Sequence, residues 1–63
     1  MKAIIKINTK DGVKTINKNC GSQSDARIYL ANFKSDSYFG HTEDGQFAIV
    51  NGFDFSELEE EDA

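Results

Sequence analysis

Residues 22–36, SQSDARIYLANFKSD, decide the fold because they read as a single amphipathic helix. Their apolar groups fall at i, i+3, i+4 and i+7, which places them on one stripe of a helix: Ala26, Tyr29, Leu30 and Phe33. Ser22 followed by Asp25 resembles a capping box with a shorter acid, and Ser24 is an alternative N-cap. Asp25 in the first turn and Lys34 in the last would complement the helix dipole. The stretch therefore predicts a helix with one face made for a core.

The chain before the helix predicts a β-hairpin. Residues 2–8 (KAIIKIN) are rich in isoleucine and read as a strand, and residues 13–18 (VKTINK) read as the returning strand. Lys10-Asp11-Gly12 lies between them, and Asp-Gly between two β-like runs is a strong hairpin signal. The first two strands are thus expected to be neighbours in an antiparallel sheet.

The register of this hairpin depends on its loop. If Asp11-Gly12 is a two-residue loop, Ile7 lies opposite Ile16 and Ile5 lies opposite Lys18. A three-residue loop would shift this register by one residue, and the sequence leaves both open. The two-residue loop gives four apolar side chains the same face, towards the helix: Ala3, Ile5, Ile7 and Ile16.

The chain after the helix predicts further strands and turns. Residues 37–42 (SYFGHT) read as a strand in which Gly40 marks a bulge or a close approach. After a turn at residues 43–45, residues 46–50 (QFAIV) read as the next strand. Asn51-Gly52 is a third turn signal. The turn glycines Gly12, Gly45 and Gly52 are all expected to have positive φ.

These elements give the order ββαββ, with a short fifth strand possible at residues 53–55. The predicted fold class is α+β, a single small domain whose antiparallel sheet is covered on one face by one helix. We expect this domain to span residues 1–55 and an acidic C-terminal tail to span residues 56–63.

Charge is divided unevenly along the chain. The whole sequence has a net charge of −4, yet residues 1–52 hold all seven basic residues against five acids. The last eleven residues hold the other six acids and no base. The sequence has one cysteine, no apolar run of about 18 residues and no signal-peptide pattern, so we expect a cytoplasmic protein with no membrane span.

Residues that would support catalysis are sparse. One histidine, His41, and one cysteine, Cys20, appear without a motif that would pair them as base and nucleophile. His41 with Glu43 and Asp44 forms too small a set for a metal site. The glycines do not have the spacing of a phosphate-binding loop. The sequence therefore predicts a protein that is not an enzyme, with no cofactor and no metal.

Apolar residues occupy both faces of the strand at residues 46–50. If Phe47 and Ile49 face the helix, a second set lies uncovered: Ala48, Val50, Phe53 and Phe55. A two-residue Asn-Gly loop would pair Val50 with Phe53 and Ala48 with Phe55. Such a patch is unusual on a small soluble monomer, so it favours contact with another protein.

The same patch is followed by acids, which suggests a recognition segment. Its aromatic rings would anchor a partner and its carboxylates would steer a basic partner surface towards it. The predicted partner-binding residues are Phe53, Asp54, Phe55, Glu57, Glu59, Glu60 and Glu61. A short, lysine- and asparagine-rich chain with an acidic end also suits the small accessory proteins of bacteriophages and mobile elements. The leading hypothesis is therefore a protein-interaction module, such as an inhibitor of a host nucleic-acid-processing or defence protein.

Three alternatives remain open. Lys2, Lys6 and Lys10 could contact nucleic acid, with Tyr38 and Phe39 as stacking groups, although lysines on an exposed strand also serve solubility. The module could instead form a homodimer through its uncovered sheet face. The acidic tail could also fold back over the lysine face and neutralise it. Ile28, on the far side of the helix from the apolar stripe, is either a lone exposed residue or part of a contact surface.

Overall fold

A four-stranded antiparallel sheet carries one helix on one of its faces. The structure, a computed structural model, describes residues 1–54. The elements are β1 (Lys2–Thr9), β2 (Gly12–Asn19), α1 (Gln23–Asn32), β3 (Tyr38–Thr42) and β4 (Ala48–Asn51). The strands lie in the order β2-β1-β3-β4. The α+β class and the ββαββ order are confirmed, whereas the predicted boundary between domain and tail lies outside the described residues.

The β1–β2 hairpin keeps its predicted faces with a different register. Its loop consists of Lys10 and Asp11, so that Thr9 pairs with Gly12 and Ile5 pairs with Ile16. The predicted pairing of Ile7 with Ile16 is therefore wrong by two residues. A shift of two leaves every side chain on the same face, because side chains alternate with a period of two. Gly12 has φ +123° as the first residue of β2, which moves the turn one residue towards the N-terminus.

Helix α1 begins as the sequence predicts and ends earlier. Ser22 is the N-cap, and its Oγ accepts a hydrogen bond of 3.2 Å from the backbone N–H of Asp25. Phe33 is the C-cap, with an extended backbone conformation and its N–H bonded to the carbonyl of Leu30. Lys34 therefore lies beyond the helix, and the prediction that it occupies the last turn is wrong.

The core lies between α1 and the inner face of the sheet. Its buried members are Ala3, Ile5, Ala26, Leu30 and Tyr38. The predicted stripe is confirmed, since Tyr29 and Phe33 pack half-buried against this cluster. No helix in residues 1–54 is long and apolar enough to cross a membrane.

Gly40 allows the helix to approach the sheet closely. A Cβ placed on Gly40 would lie 2.8 Å from Cδ2 of Leu30 and 3.4 Å from Cγ1 of Ile5. The strand pairing continues through Gly40, which lies between Ile5 of β1 and Ile49 of β4. Of the two readings of this glycine, the close approach is confirmed and the bulge is not formed.

A hydrogen-bond network holds the β3–β4 turn. The hydroxyl of Thr42, which is fully buried, donates to Oδ1 of Asp44 at 2.7 Å and accepts from the N–H of Phe47 at 3.1 Å. The backbone N–H of Gln46 also donates to Oδ1 of Asp44. The Thr42 hydroxyl, followed by the Gln46 N–H, lowers the pKa of Asp44 below its usual value of 3.8. This carboxylate is therefore a fixed part of the turn.

The chain turns away from the sheet after β4. Gly52 has φ +66°, and its carbonyl accepts a hydrogen bond from Oγ of Ser37. Positive φ at Gly12, Gly45 and Gly52 is confirmed. Phe53 and Asp54 do not lie in a strand, so the predicted pairing of Val50 with Phe53 is wrong. Val50 pairs instead with Phe39 of β3, and β4 ends at Asn51, directly before the positive φ of Gly52. The predicted pairing of Ala48 with Phe55 lies outside the described residues.

We predict a large difference between two truncations on α1. Leu30→Ala should lower the free energy of unfolding by about 2–5 kcal/mol, because it empties a buried site. Ile28→Ala should lower it by well under about 1 kcal/mol, because Ile28 is exposed. Urea titrations followed by circular dichroism measure both. Equal losses at the two positions would contradict the orientation of the helix.

We also predict energetic coupling between Gly40 and Leu30. Gly40→Ala alone should cost about 1–3 kcal/mol, because the new methyl group would overlap the Leu30 side chain. In the double variant with Leu30→Ala, the loss should be smaller than the sum of the single losses by about 1 kcal/mol, because the space is then available. Purely additive losses in the same urea titrations would mean that the two positions are not in contact.

The depressed pKa of Asp44 predicts a pH-dependent contribution to stability. Because the folded pKa lies below the unfolded value, this contribution is complete above the usual pKa of 3.8 and is lost as the pH falls through the folded pKa. Asp44→Asn mimics the protonated side chain. Wild type should melt at a higher temperature than this variant at neutral pH, and the gap should close in strong acid. A gap that is constant with pH would argue against the network.

Candidate functional site

The predicted partner-binding segment is only partly within the described chain. Phe53 is 6% exposed, so the prediction that it lies on an uncovered surface is wrong. Phe53 follows Gly52, whose φ of +66° comes directly after the end of β4 at Asn51. Asp54 is exposed. The remaining predicted partner-binding residues lie outside the described residues: Phe55, Glu57, Glu59, Glu60 and Glu61.

The predicted nucleic-acid contacts fall at two places. Lys2 and Lys6 lie on β1 and alternate with side chains that face the helix, so they share the opposite side of the sheet. Lys10 lies in the hairpin loop. The stacking role for Tyr38 is wrong, because its ring is 8% exposed in the core and its hydroxyl donates to the carbonyl of Phe33. The reason is strand parity, which places Tyr38 on the inner face.

We use the term outer face for the side of the sheet opposite α1. Its central positions come from neighbouring strands, with Lys6 paired to Phe39 and Ile4 paired to His41. The rings of Phe39 and His41 lie 5.5 Å apart between centroids, and both residues are half-buried. The outer face on these strands consists of Lys2, Ile4, Lys6, Phe39, His41, Ala48 and Val50. It therefore combines apolar groups with basic ones.

The two edge strands of the sheet differ in charge. At one edge, β2 carries Lys14 and Lys18, both exposed. At the other edge, β4 has the sequence AIVN and no charged residue. Within residues 1–54, β4 pairs only with β3, and no strand pairs with its other edge. An uncharged edge is able to accept another strand, whereas lysines on an edge discourage that pairing.

A shallow groove runs along the seam between α1 and β4, and we call it the seam groove. One part of it is lined by Ser24, Arg27, Ile28, Ala31 and Phe47. It continues past Ala31 to Lys34, Tyr38, Ile49 and Val50. Ile28 is 59% exposed, and the Arg27 guanidinium lies 5.2 Å from the centroid of the Phe47 ring. The groove thus has an apolar part around Ile28 and Phe47 and a more polar part that includes both Lys34 and Asp36.

The seam groove could be read from the sequence only in part. Ser24, Ile28 and Ala31 follow the spacing i, i+4 and i+7, which is a second stripe on the helix. The exposure expected for Ile28 is confirmed. Its neighbour Phe47 comes from the far end of the chain, and nothing in the local pattern links the two.

Among residues 1–54, the groups with catalytic or metal-binding potential do not come together. Cys20 packs against the helix-side core, and its Sγ donates to the carbonyl of Lys18. His41 lies on the outer face, and its Nδ1 is 2.8 Å from the carbonyl oxygen of Thr42. In the described part of the chain, no three His, Cys, Asp or Glu residues are grouped to hold a metal ion.

Comparison with known proteins adds no family. No protein-family model matches the chain, and no curated protein and no solved structure matches it either. The function is therefore inferred from the geometry of the outer face, the β4 edge and the seam groove.

Proposed function

We propose that the protein is a non-enzymatic interaction module that binds an extended segment of another protein along β4. The observation that supports this most directly is the uncharged β4 edge beside the seam groove. Binding of this kind adds a strand to a sheet, with main-chain hydrogen bonds for affinity and side-chain pockets for specificity.

The contrast between the two edges supports β4 as the binding edge. β2 is eight residues long and carries Lys14 and Lys18, which oppose the addition of another strand. β4 is four residues long and carries no lysine or other charged residue. A partner segment would therefore pair with β4 in preference to β2.

The seam groove supplies the side-chain contacts of the proposed complex. Residues of an added strand alternate between the two sides of the sheet. On the inner side they would meet Phe47 and Ile49, which are half-buried, and on the outer side they would meet Val50, which is 50% exposed. Ile28 at the groove rim would extend the apolar contact. We therefore expect a partner segment that bears apolar side chains.

Charge gives the proposal its second part. Six acids follow Gly52 in the sequence: Asp54, Glu57, Glu59, Glu60, Glu61 and Asp62. They favour a partner whose strand is flanked by basic residues, since opposite charges speed the encounter. A basic partner suits the inhibition of a nucleic-acid-processing or defence protein, and the single Cys20 suits a reducing, cytoplasmic setting. The proposed protein is therefore a cytoplasmic inhibitor of such a partner.

Photo-crosslinking at two exposed valines tests the binding edge. Val50 and Val13 are 50% and 40% exposed on the outer face, at opposite edges of the sheet. Each is replaced in turn by benzoylphenylalanine, and the protein is irradiated in a lysate of cells that express it. A defined crosslinked product is expected at position 50 and not at position 13, because only β4 would pair with the partner.

Lysine substitutions at the same valines provide the functional control. Val50→Lys should abolish capture of the crosslinked partner, because it places a charge on the binding edge, whereas Val13→Lys should leave capture unchanged. Both should keep the free energy of unfolding within about 0.5 kcal/mol of wild type. Products at position 13 alone, or at both positions, would contradict the proposal. A product of twice the chain mass would identify a second copy as the partner instead.

A further inference from the structure

The outer face has an excess of basic charge that the described residues leave partly unbalanced. Residues 1–54 hold seven basic residues and six acids, which gives +1, and residues 55–63 hold five acids and no base, which gives −5. Lys2 and Lys6 lie on the outer face, and the carboxylate of Glu43 accepts a hydrogen bond from the backbone N–H of Lys2. The basic surface and the acidic segment therefore belong to one chain.

Apolar groups on the outer face match those of the same segment. Ile4 and Phe39 lie half-buried on neighbouring central strands, between the positions of the lysines. Residues 55–63 read FSELEEEDA, so that two apolar side chains, Phe55 and Leu58, stand among the acids. The combination of apolar and charged groups on the face is complementary to the combination in the segment.

The point at which the described chain ends supports the same pairing. The carbonyl of Gly52 is bonded by Ser37, whose own carbonyl accepts from the N–H of Asn8. The C-terminal segment thus starts from the end of the sheet where β1 finishes and β3 begins. Nine residues can span about 30 Å when extended, and the eight residues of β1 span about 26 Å. The segment is long enough to reach Lys2.

Phe53 provides a further observation next to this starting point. It is 6% exposed, yet it is not a member of the helix-side core cluster. The chain is therefore already buried at Phe53, two residues before the segment begins.

We propose that the outer face is the docking surface of the chain's own acidic segment, residues 55–63. Lys2 and Lys6 hold its carboxylates, and Ile4 and Phe39 take its apolar side chains. The segment then screens the basic face from nucleic acid and other polyanions. This proposal does not involve main-chain pairing at the β4 edge, but it assigns to Lys2 and Lys6 the same acids that would otherwise steer a partner towards β4.

Paramagnetic relaxation in the full chain tests the docking. A spin label is attached through Ala63→Cys, with Cys20→Ser so that only position 63 reacts, and amide signals are recorded at low salt. Signal loss is expected at Lys6 and Phe39, with signals retained at Ser24 and Ile28 on α1. The signals should recover near 1 M salt, where the Debye length falls to about 3 Å.

Two pairs of lysines on the same hairpin give a matched control. Lys2→Gln with Lys6→Gln should restore the lost signals, because these lysines lie on the outer face. Lys14→Gln with Lys18→Gln should leave the signal loss unchanged, because these lysines lie at the β2 edge on the other face. The dispersion of the amide spectrum shows whether each variant is folded. The salt series on the spin-labelled chain with all its lysines tests the docking without any lysine substitution.

Three outcomes would overturn the proposal. They are signal loss centred on α1, uniform weak loss over the whole chain, and loss that is insensitive to salt. A mixture of labelled and isotopically labelled chains adds a fourth, since signal loss between chains would mean that a second copy holds the segment. The docking is measured on the isolated chain, so its failure would not count against strand addition at β4. Failure of the crosslinking at Val50 would likewise not count against the docking.

Discussion

The contact between Leu30 and the backbone of Gly40 determines how the rest of the structure is arranged. Leu30 is fully buried, and its side chain lies where a Cβ of residue 40 would be. The helix therefore comes closest to the sheet at Gly40 of β3, between β1 and β4. Ile5 and Ile49 flank Gly40 and complete the layer beneath the helix. A chain of 63 residues buries only about 60% of its unfolded surface, so this one layer is most of its core. Within residues 1–54, no helix covers the opposite side of the sheet.

Sequence periodicity predicted the faces of the elements better than their pairings. The hairpin register was wrong by two residues, yet Ile5, Ile7 and Ile16 face the helix as expected, because an even shift preserves alternation. Aromatic character alone does not reveal strand parity, so the sequence allows Tyr38 as a surface stacking group. Its place in the core follows from the pairing with Ile7, which is a long-range contact.

Less of the candidate site than of the fold was available from the sequence. β4 lies at an edge because the strand order is β2-β1-β3-β4. In this order β1 pairs with β3, which follows the helix in the sequence, and no local signal specifies that pairing. The local pattern of apolar residues did not indicate the burial of Phe53, which is 6% exposed. The exposure of Ile28, in contrast, depends only on its angle around a helix and was predictable.

The lack of charge on β4 has to be weighed against its length. A short edge strand is itself a protection against unwanted pairing, so four residues without a lysine do not require a binding function. The same shortness limits how many main-chain hydrogen bonds a partner could gain there. The proposed strand addition at β4 would therefore depend on the seam groove, where Phe47, Ile49 and Ile28 would add apolar contact that hydrogen bonds alone would not supply. In the proposed complex, the edge would set the direction of the bound segment, and the groove would give most of its affinity.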